Sequence, residues 1–363
     1  MRALQVLAGP RALAHLQERG LSPADVRVIP AAAGGPKGLS LIPLDRYLFG
    51  HWLRDATQTL HLVGASIGAW RMACACRPDA DAALAELAED YVTQHYPHEP
   101  GRMPTAQAVS TAFGETLQQR LAPHAADILG HPHRRLHVFT SRGRYLLHRP
   151  GRLRAAAGYL GAFAVNVASR RALGAWLERV VFSDPRDELP LPLDDFRSAQ
   201  APLTPANLAT ALLASCSIPF WLQAVHDIPG GPRGAYWDGG LTDYHLHLNY
   251  AAMRRTSASG AGLVLYPHFH AHVVPGWLDK GLRHRHGSSP FLDNVVVLAP
   301  HPEWVRGLPH AKLPDRGDFK FYGEDEAGRQ AAWRRALAES RRLADDFATL
   351  VSSPRPIEAR PLA

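Results

Sequence analysis

Apolar positions in this chain come as short runs closed by small-residue turns, most of them followed by a stretch with helical spacing. Residues 11–19 read as a short helix stopped by Gly20, and 26–29 as a strand entering a small-residue loop at 30–38. Apolar positions 41, 44, 48, 49 and 52 predict a helix within 39–53. A second strand at 60–63 leads into the turn Gly64-Ala65-Ser66-Ile67-Gly68 and then a helix through Cys76. This strand–loop–helix–strand–turn–helix order predicts a parallel α/β sheet, with functional loops at the carboxyl ends of its strands.

Further along, residues 80–93 and 105–121 read as helices. Segments 136–140 and 145–148 flank Ser141-Arg142-Gly143-Arg144 and predict a β-hairpin. Residues 153–181 read as mostly helical and interrupted, with an apolar face suited to lining a pocket or covering the site but assigned first to core packing, and 184–205 as a long proline-rich surface loop. A helix at 208–217 stops at Ile218-Pro219, and strands are expected at 235–237, 262–266 and 294–298. Residues 324–351 read as one long amphipathic helix whose stripe of Trp333, Leu337, Leu343, Phe347 and Leu350 packs on the body. Without a repeat or a clear linker, a single domain over 1–363 is expected.

Composition narrows the class. The 363 residues are 46% hydrophobic and 20% charged, as in a folded protein with a sizeable core. Cys74, Cys76 and Cys216 do not make a disulfide framework and suit a reducing compartment. The apolar run at residues 3–7 ends at Gly9-Pro10, unlike a signal peptide, and no run is long enough to span a membrane. A cytoplasmic protein is therefore expected. The net charge of +7 comes almost entirely from scattered arginines, the only lysines being Lys37, Lys280, Lys312 and Lys320. No nucleic-acid motif accompanies them, so a nucleic-acid partner is not expected, whereas attraction to an anionic membrane surface is compatible with the charge.

Three segments carry candidate chemistry. Ser66, between Gly64 and Gly68 on a sharp strand-to-helix turn, is placed as an exposed nucleophile would be, although such a turn also serves tight packing. Gly34-Gly35-Pro36-Lys37-Gly38 joins a strand to a helix, where backbone N–H groups lack helical partners and can hold an anion. It lacks the spacing of a phosphate-binding Walker loop. Asp238 in Asp238-Gly239-Gly240 follows an apolar run, where a base or a simple turn former would fit.

In order and spacing the three segments resemble the patatin-like phospholipase family, which carries a glycine-rich loop ending in Arg/Lys-Gly, then Gly-x-Ser-x-Gly, then Asp-Gly-Gly. The block Ala211-Leu212-Leu213-Ala214-Ser215-Cys216-Ser217-Ile218-Pro219-Phe220 also resembles the family. The resemblance spans about 26–245, with 246–352 expected to pack on that core. It implies a three-layer α/β/α fold with a mostly parallel sheet, and a serine lipid acyl hydrolase acting on fatty-acyl esters without a cofactor. Ser66 would be the nucleophile and Asp238 its base. Gly34 and Gly35 would donate to the oxyanion, with Lys37 and Gly38 completing that loop and Lys37 orienting it. Two departures stand out: Ala32-Ala33 precede Gly34-Gly35 where the family has Asp-Gly, and Leu241-Thr242 follow Gly240 where it often has Asn-Pro.

Two rival readings remain within reach of the sequence. A Ser–His–acid triad would recruit a late histidine such as His301 or His310, and a catalytically silent lipid-binding protein would use neither Ser66 nor Asp238. The alternating histidines 268, 270, 272 and 245, 247 would share a face on a strand, as metal ligands do, but they are read as solvated or locally hydrogen-bonded and no metal is assigned. The oligomeric state, head group and acyl length stay open.

Overall fold

A parallel sheet covered on both faces needs strands that are apolar throughout, and the central strands here meet that demand. The computed structural model describes residues 2–96, 104–148, 152–253, 261–352 and 356–362. Part of the histidine-rich 245–286 region, residues 254–260, lies outside the described residues. The strands are β1 (Leu4–Ala8), β2 (Val26–Ala31), β3 (Leu60–Ala65), β4 (Arg134–Gly143), β5 (Leu177–Ser183) and β6 (Ser198–Pro202). They continue as β7 (Val225–His226), β8 (Ala235–Asp238), β9 (Leu263–Pro267), β10 (Val295–Pro300) and β11 (Arg360–Pro361).

The sheet order is β11-β1-β10-β9-β2-β3-β4-β5-β6, and the five strands from β10 to β4 run parallel. Every residue of β3, β9 and β10 is buried, and helices flank the sheet to give three α/β/α layers. The expected fold class therefore holds. The apolar run near the N-terminus is β1, antiparallel to β10.

β4 organises the site. Its first six residues pair in parallel with β3, ending at Ala65 opposite Phe139. β8 then takes over the same edge in the antiparallel sense, with Asp238 opposite Thr140. The other edge is occupied by β5. β3 and β8 thus approach each other end to end, and their last residues meet at neighbouring rungs of β4.

Several expectations are corrected. Residues 145–148 form a 3₁₀ turn, Tyr145–His148, and the antiparallel partner of β4 is β5, so there is no tight hairpin at Ser141–Arg144. The alternation in 145–148 is too short to compete with β5, whose seven residues are all buried. The interrupted helical segment ends earlier than expected, as helix Arg152–Ala168 and a 3₁₀ turn Arg171–Ala175, before β5 begins. The 184–205 segment is not all loop, since β6 adds to β5 by parallel pairing. Its proline content suits a strand at the sheet edge. The C-terminal helix is two helices, Glu326–Glu339 and Arg341–Ser352, joined at Ser340. Their stripe packs inward as expected, with Trp333, Leu343 and Phe347 in the core.

Candidate active site

β3 ends at Ala65, and the helix Ile67–Ala75 begins two residues later. Ser66 makes the connection at φ 56° and ψ −132°, a conformation costly for a side chain with a Cβ. Close packing enforces it. A Cβ at Gly68 would lie 1.9 Å from the Ala31 carbonyl oxygen of β2, and one at Gly64 would lie 2.3 Å from Ala69 Cα. Gly68→Ala is accordingly expected to destabilise the fold by about 3 kcal/mol or more, because backbone on both sides must move. A urea-unfolding midpoint close to wild type would contradict this.

The Ser66 side chain is buried, and its Oγ donates to Asp238 Oδ2 at 2.6 Å. The other carboxylate oxygen, Oδ1, accepts from the Gly240 N–H at 2.7 Å. Burial pushes the Asp238 carboxyl up from the usual range, opposed by the Ser66 hydroxyl, the Arg316 guanidinium and the Gly240 N–H. A carboxylate that is raised, held on both oxygens and in contact with a hydroxyl can take that hydroxyl's proton.

Ser215 holds the elbow in place. Its Oγ accepts from the Ser66 N–H at 2.9 Å and donates to the Phe139 carbonyl at 2.6 Å. The Asp238 and Gly239 N–H groups donate to the Ser217 and Ser215 carbonyls. The helix Leu208–Cys216 therefore joins the ends of β3, β4 and β8. Sequence reading placed Ser215 in a motif block without a role; its hydrogen bonds supply one.

The glycine loop forms the opposite wall. Gly34 caps a 3₁₀ helix, Gly35–Leu41, so the first N–H groups there have no partner inside it. Gly35 sits at φ 57°, which favours glycine, and lines the cavity beside Ser66 together with Pro36. A Cβ at Gly34 would strike the Phe269 ring at 2.5 Å. Gly38 is buried against Ile67 and Arg71 of the helix after Ser66. Arg71 is tied to Asp45 through two buried contacts of 2.6 and 2.9 Å. Lys37 points away from the cavity: its Nζ lies 3.2 Å from His270 Nε2 and 5.4 Å from the Phe269 ring centre. Burial holds Lys37 below its ordinary pKa, with Asp315 opposing and Lys312 and Arg316 adding to the shift.

A cavity of about 300 Å³ opens at Ser66. Val109, Phe113, Ile218, Trp221 and Phe319 make its wall mostly apolar, and Arg316 and Arg329 add charge on one side. Arg329 is buried, donates to the Val92 and Gln94 carbonyls and stacks over Phe319 and Trp333. Apart from Ile218, which lies in the family-like block, sequence reading gave none of these residues a place in the site. No local pattern marks them, because they meet only when distant helices converge.

The late histidines lie elsewhere. His301 caps the helix Pro302–Arg306, and His310 bonds the Tyr322 hydroxyl at 2.6 Å; neither lines the cavity. The alternating histidines do not share a strand face. β9 ends at Pro267, and His268 Nδ1 accepts from the His270 N–H two residues on. His245 and His268 are buried, so these two are not solvated. The rings pack on one another instead, His245 against His268 at 4.3 Å and His270 against His272 at 5.1 Å. Among the described residues no group of three or more His, Cys, Asp or Glu side chains could hold a metal ion.

The sequence model of the family described as patatin-like phospholipase matches residues 33–245, more than half of the chain. The chain belongs to the patatin-like phospholipase family. The matched stretch runs from the residue before Gly34 to seven residues past Asp238, so it contains all three motifs. Membership supports a lipid acyl hydrolase function. No curated protein matches the chain. Solved structures align at low identity, three of them as follows. VipD from Legionella pneumophila shares 12% identity at a TM-score of 0.37, covering 93% of this chain and 70% of that one. Human GIVD cytosolic phospholipase A2 shares 12% at 0.38, covering 94% and 62%. The ExoU–SpcU complex from the type III secretion system of Pseudomonas aeruginosa shares 14% at 0.30, covering 92% and 53%.

Proposed function

We propose that this patatin-like protein hydrolyses fatty-acyl esters of phospholipids or related lipids through a Ser66–Asp238 dyad. The observation that carries the reading is the 2.6 Å hydrogen bond from Ser66 Oγ to a buried Asp238 at the foot of an apolar cavity. In the first half-reaction Ser66 Oγ attacks the ester carbonyl carbon while its proton passes to Asp238 Oδ2. The carbonyl oxygen becomes an oxyanion, for which the N–H groups of Gly34 and Gly35 are the donors at hand. The carbon–oxygen bond to the alcohol then breaks, and Asp238 returns the proton to the leaving oxygen. In the second half-reaction Asp238 takes a proton from water as the water attacks the acyl-enzyme, and Ser66 regains a proton when the fatty acid leaves. Gly64 and Gly68 act by letting the elbow form. Lys37 and Gly38 hold the glycine loop, Lys37 through His270 and Gly38 against Ile67.

Labelling by a fluorophosphonate probe tests this reading. Native protein should be modified at Ser66, and Ser66→Ala should not be modified. Equal labelling of both, or none of the native protein, would sink it.

We further read the chain as one working domain, because one sheet carries both site strands and the C-terminal helices pack into its main core. Three buried free cysteines support a reducing, cytoplasmic setting. No described helix is long and apolar enough to cross a membrane. A lipid substrate entails contact with a membrane surface.

A further inference from the structure

The helix Arg152–Ala168 is apolar on the side that faces water. Its inner side buries Tyr159, Ala162 and Asn166, with Asn166 Nδ2 donating to Asp279 Oδ1 at 2.8 Å. Its outer side presents Leu160 at 71%, Phe163 at 41% and Val167 at 47% exposure. These positions are three and four residues apart, so they form a single stripe. Burying an asparagine while exposing leucine, phenylalanine and valine reverses the usual order for a helix in water.

The same helix reaches the cavity rim through its buried Tyr159. Tyr159 meets Phe220 edge-on at 5.8 Å, and Phe220 is 58% exposed on a left-handed backbone at φ 70°. Its neighbour Trp221 is 44% exposed and lines the cavity that opens at Ser66. On the other flank, exposed Tyr145 and Leu146 lie on the 3₁₀ turn that packs against Gly158 of the same helix. Exposed apolar side chains therefore stand both on this helix and at the mouth of the cavity, Leu160, Phe163 and Val167 on the one and Phe220 and Trp221 at the other.

Charge selects the partner. Between Asp127 and Glu178 the sequence holds nine arginines and no acidic residue; Arg134 is buried on β4, and Arg135, Arg142 and Arg170 pair with Asp187, Glu178 and Asp279. Arg154 is exposed towards one end of the helix, and Arg171 just beyond the other. Asp279, which accepts from Asn166 near the C-terminal end, is fully buried and bridged by Arg170 and Arg285. Arg285 also donates to the Val167 carbonyl, which brings the Arg283-His284-Arg285 segment beside the stripe.

We infer that the outer face of this helix, with Phe220 and Trp221, docks on an anionic phospholipid bilayer and sets the cavity mouth on the lipid surface. The apolar stripe enters the acyl boundary while the arginines meet lipid phosphates. This extends the lipid-ester reading by naming the surface from which substrate is drawn.

Flotation with vesicles tests it, using Ser66→Ala protein so that no lipid is consumed. Vesicles of phosphatidylcholine with about one-third phosphatidylglycerol should bind at least about tenfold better than phosphatidylcholine alone. Leu160→Glu with Phe163→Glu should lower that binding at least about tenfold, since two apolar anchors are lost. The thermal midpoint should not move, because both side chains are exposed. Arg154→Ala with Arg171→Ala should weaken binding and flatten its salt dependence. Wild-type flotation of the double-glutamate variant would overturn the proposal. So would equal binding to the two vesicle types, or a lipid-free oligomer that the same variant dissolves, which would assign the stripe to a second copy. Absence of esterase activity in the native protein would remove the dyad reading while leaving vesicle binding intact, so the two can fail separately.

Discussion

Asp238→Asn should lower kcat/KM by about 10³-fold on a soluble ester while leaving the protein folded, because it removes the base and keeps the shape. The asparagine oxygen can still accept from the Gly240 N–H as Asp238 Oδ1 does, so packing around β8 should survive. Activity of the native enzyme should also fall as pH drops through the Asp238 pKa, since only the ionised carboxylate accepts the Ser66 proton. Burial raises that pKa, so the acid limb should lie above the ordinary aspartate value of about 3.9. His301→Ala and His310→Ala should change neither the rate nor the limb. If either histidine variant lost activity as far as Ser66→Ala, a triad would replace the dyad. Full turnover by folded Asp238→Asn would remove Asp238 from the chemistry.

Acidification should unfold the protein between pH 6.5 and about 4, through a set of histidines held neutral by burial. His61, on β3, is pushed from 6.5 to about 4, mainly by burial and with Asp187 opposing. Its Nδ1 lies 3.0 Å from Nε2 of the fully buried His137 on β4, whose pKa is also pushed down by burial and by His61 itself. His245 and His268 are buried and lowered in the same way. The sign follows from linkage. Above pH 6.5 these groups are neutral in both states and cost nothing. Below it the unfolded chain takes up protons that the folded chain refuses, so stability falls as pH falls. Each such histidine removes up to about 1.4 kcal/mol per pH unit, so four of them together remove an amount comparable to the usual margin of about 5–15 kcal/mol across this window. Unfolding free energy measured in urea from pH 7 to 4.5 should report uptake of at least about three protons. Uptake below one proton would contradict the assignment. Activity loss that recovers at once on return to neutral pH separates the Asp238 titration from this unfolding.

The residues of the candidate site were legible because their placement depends on backbone shape as much as on side chains. Gly68 is demanded by a carbonyl of the neighbouring strand and Gly35 by a left-handed backbone, and such demands leave glycines at fixed places in a sequence. The cavity was not legible. Val109 and Phe113 lie in a segment read only as a helix and Phe319 in one given no reading, since nothing local distinguishes an apolar side chain that lines a cavity from one that fills a core. The segments 136–148 and 153–181 were misread for a related reason. β4 takes its partner from β5, 34 residues beyond Gly143, and local alternation carries no record of so distant a neighbour. The outer face of the helix Arg152–Ala168 was read as core because an apolar stripe at helical spacing looks the same whether it meets protein or water.

The sequence by itself determined the class of fold, the sharp turn at Ser66, the glycine loop and the aspartate that ends a strand. It did so because turns and parallel strands impose residue types locally. Only the tertiary structure decided that Ser66 and Asp238 touch across a separation of 172 residues. The reason lies in one strand. β3 and β8 share a single edge of β4 from opposite directions, so their ends must meet at adjacent rungs.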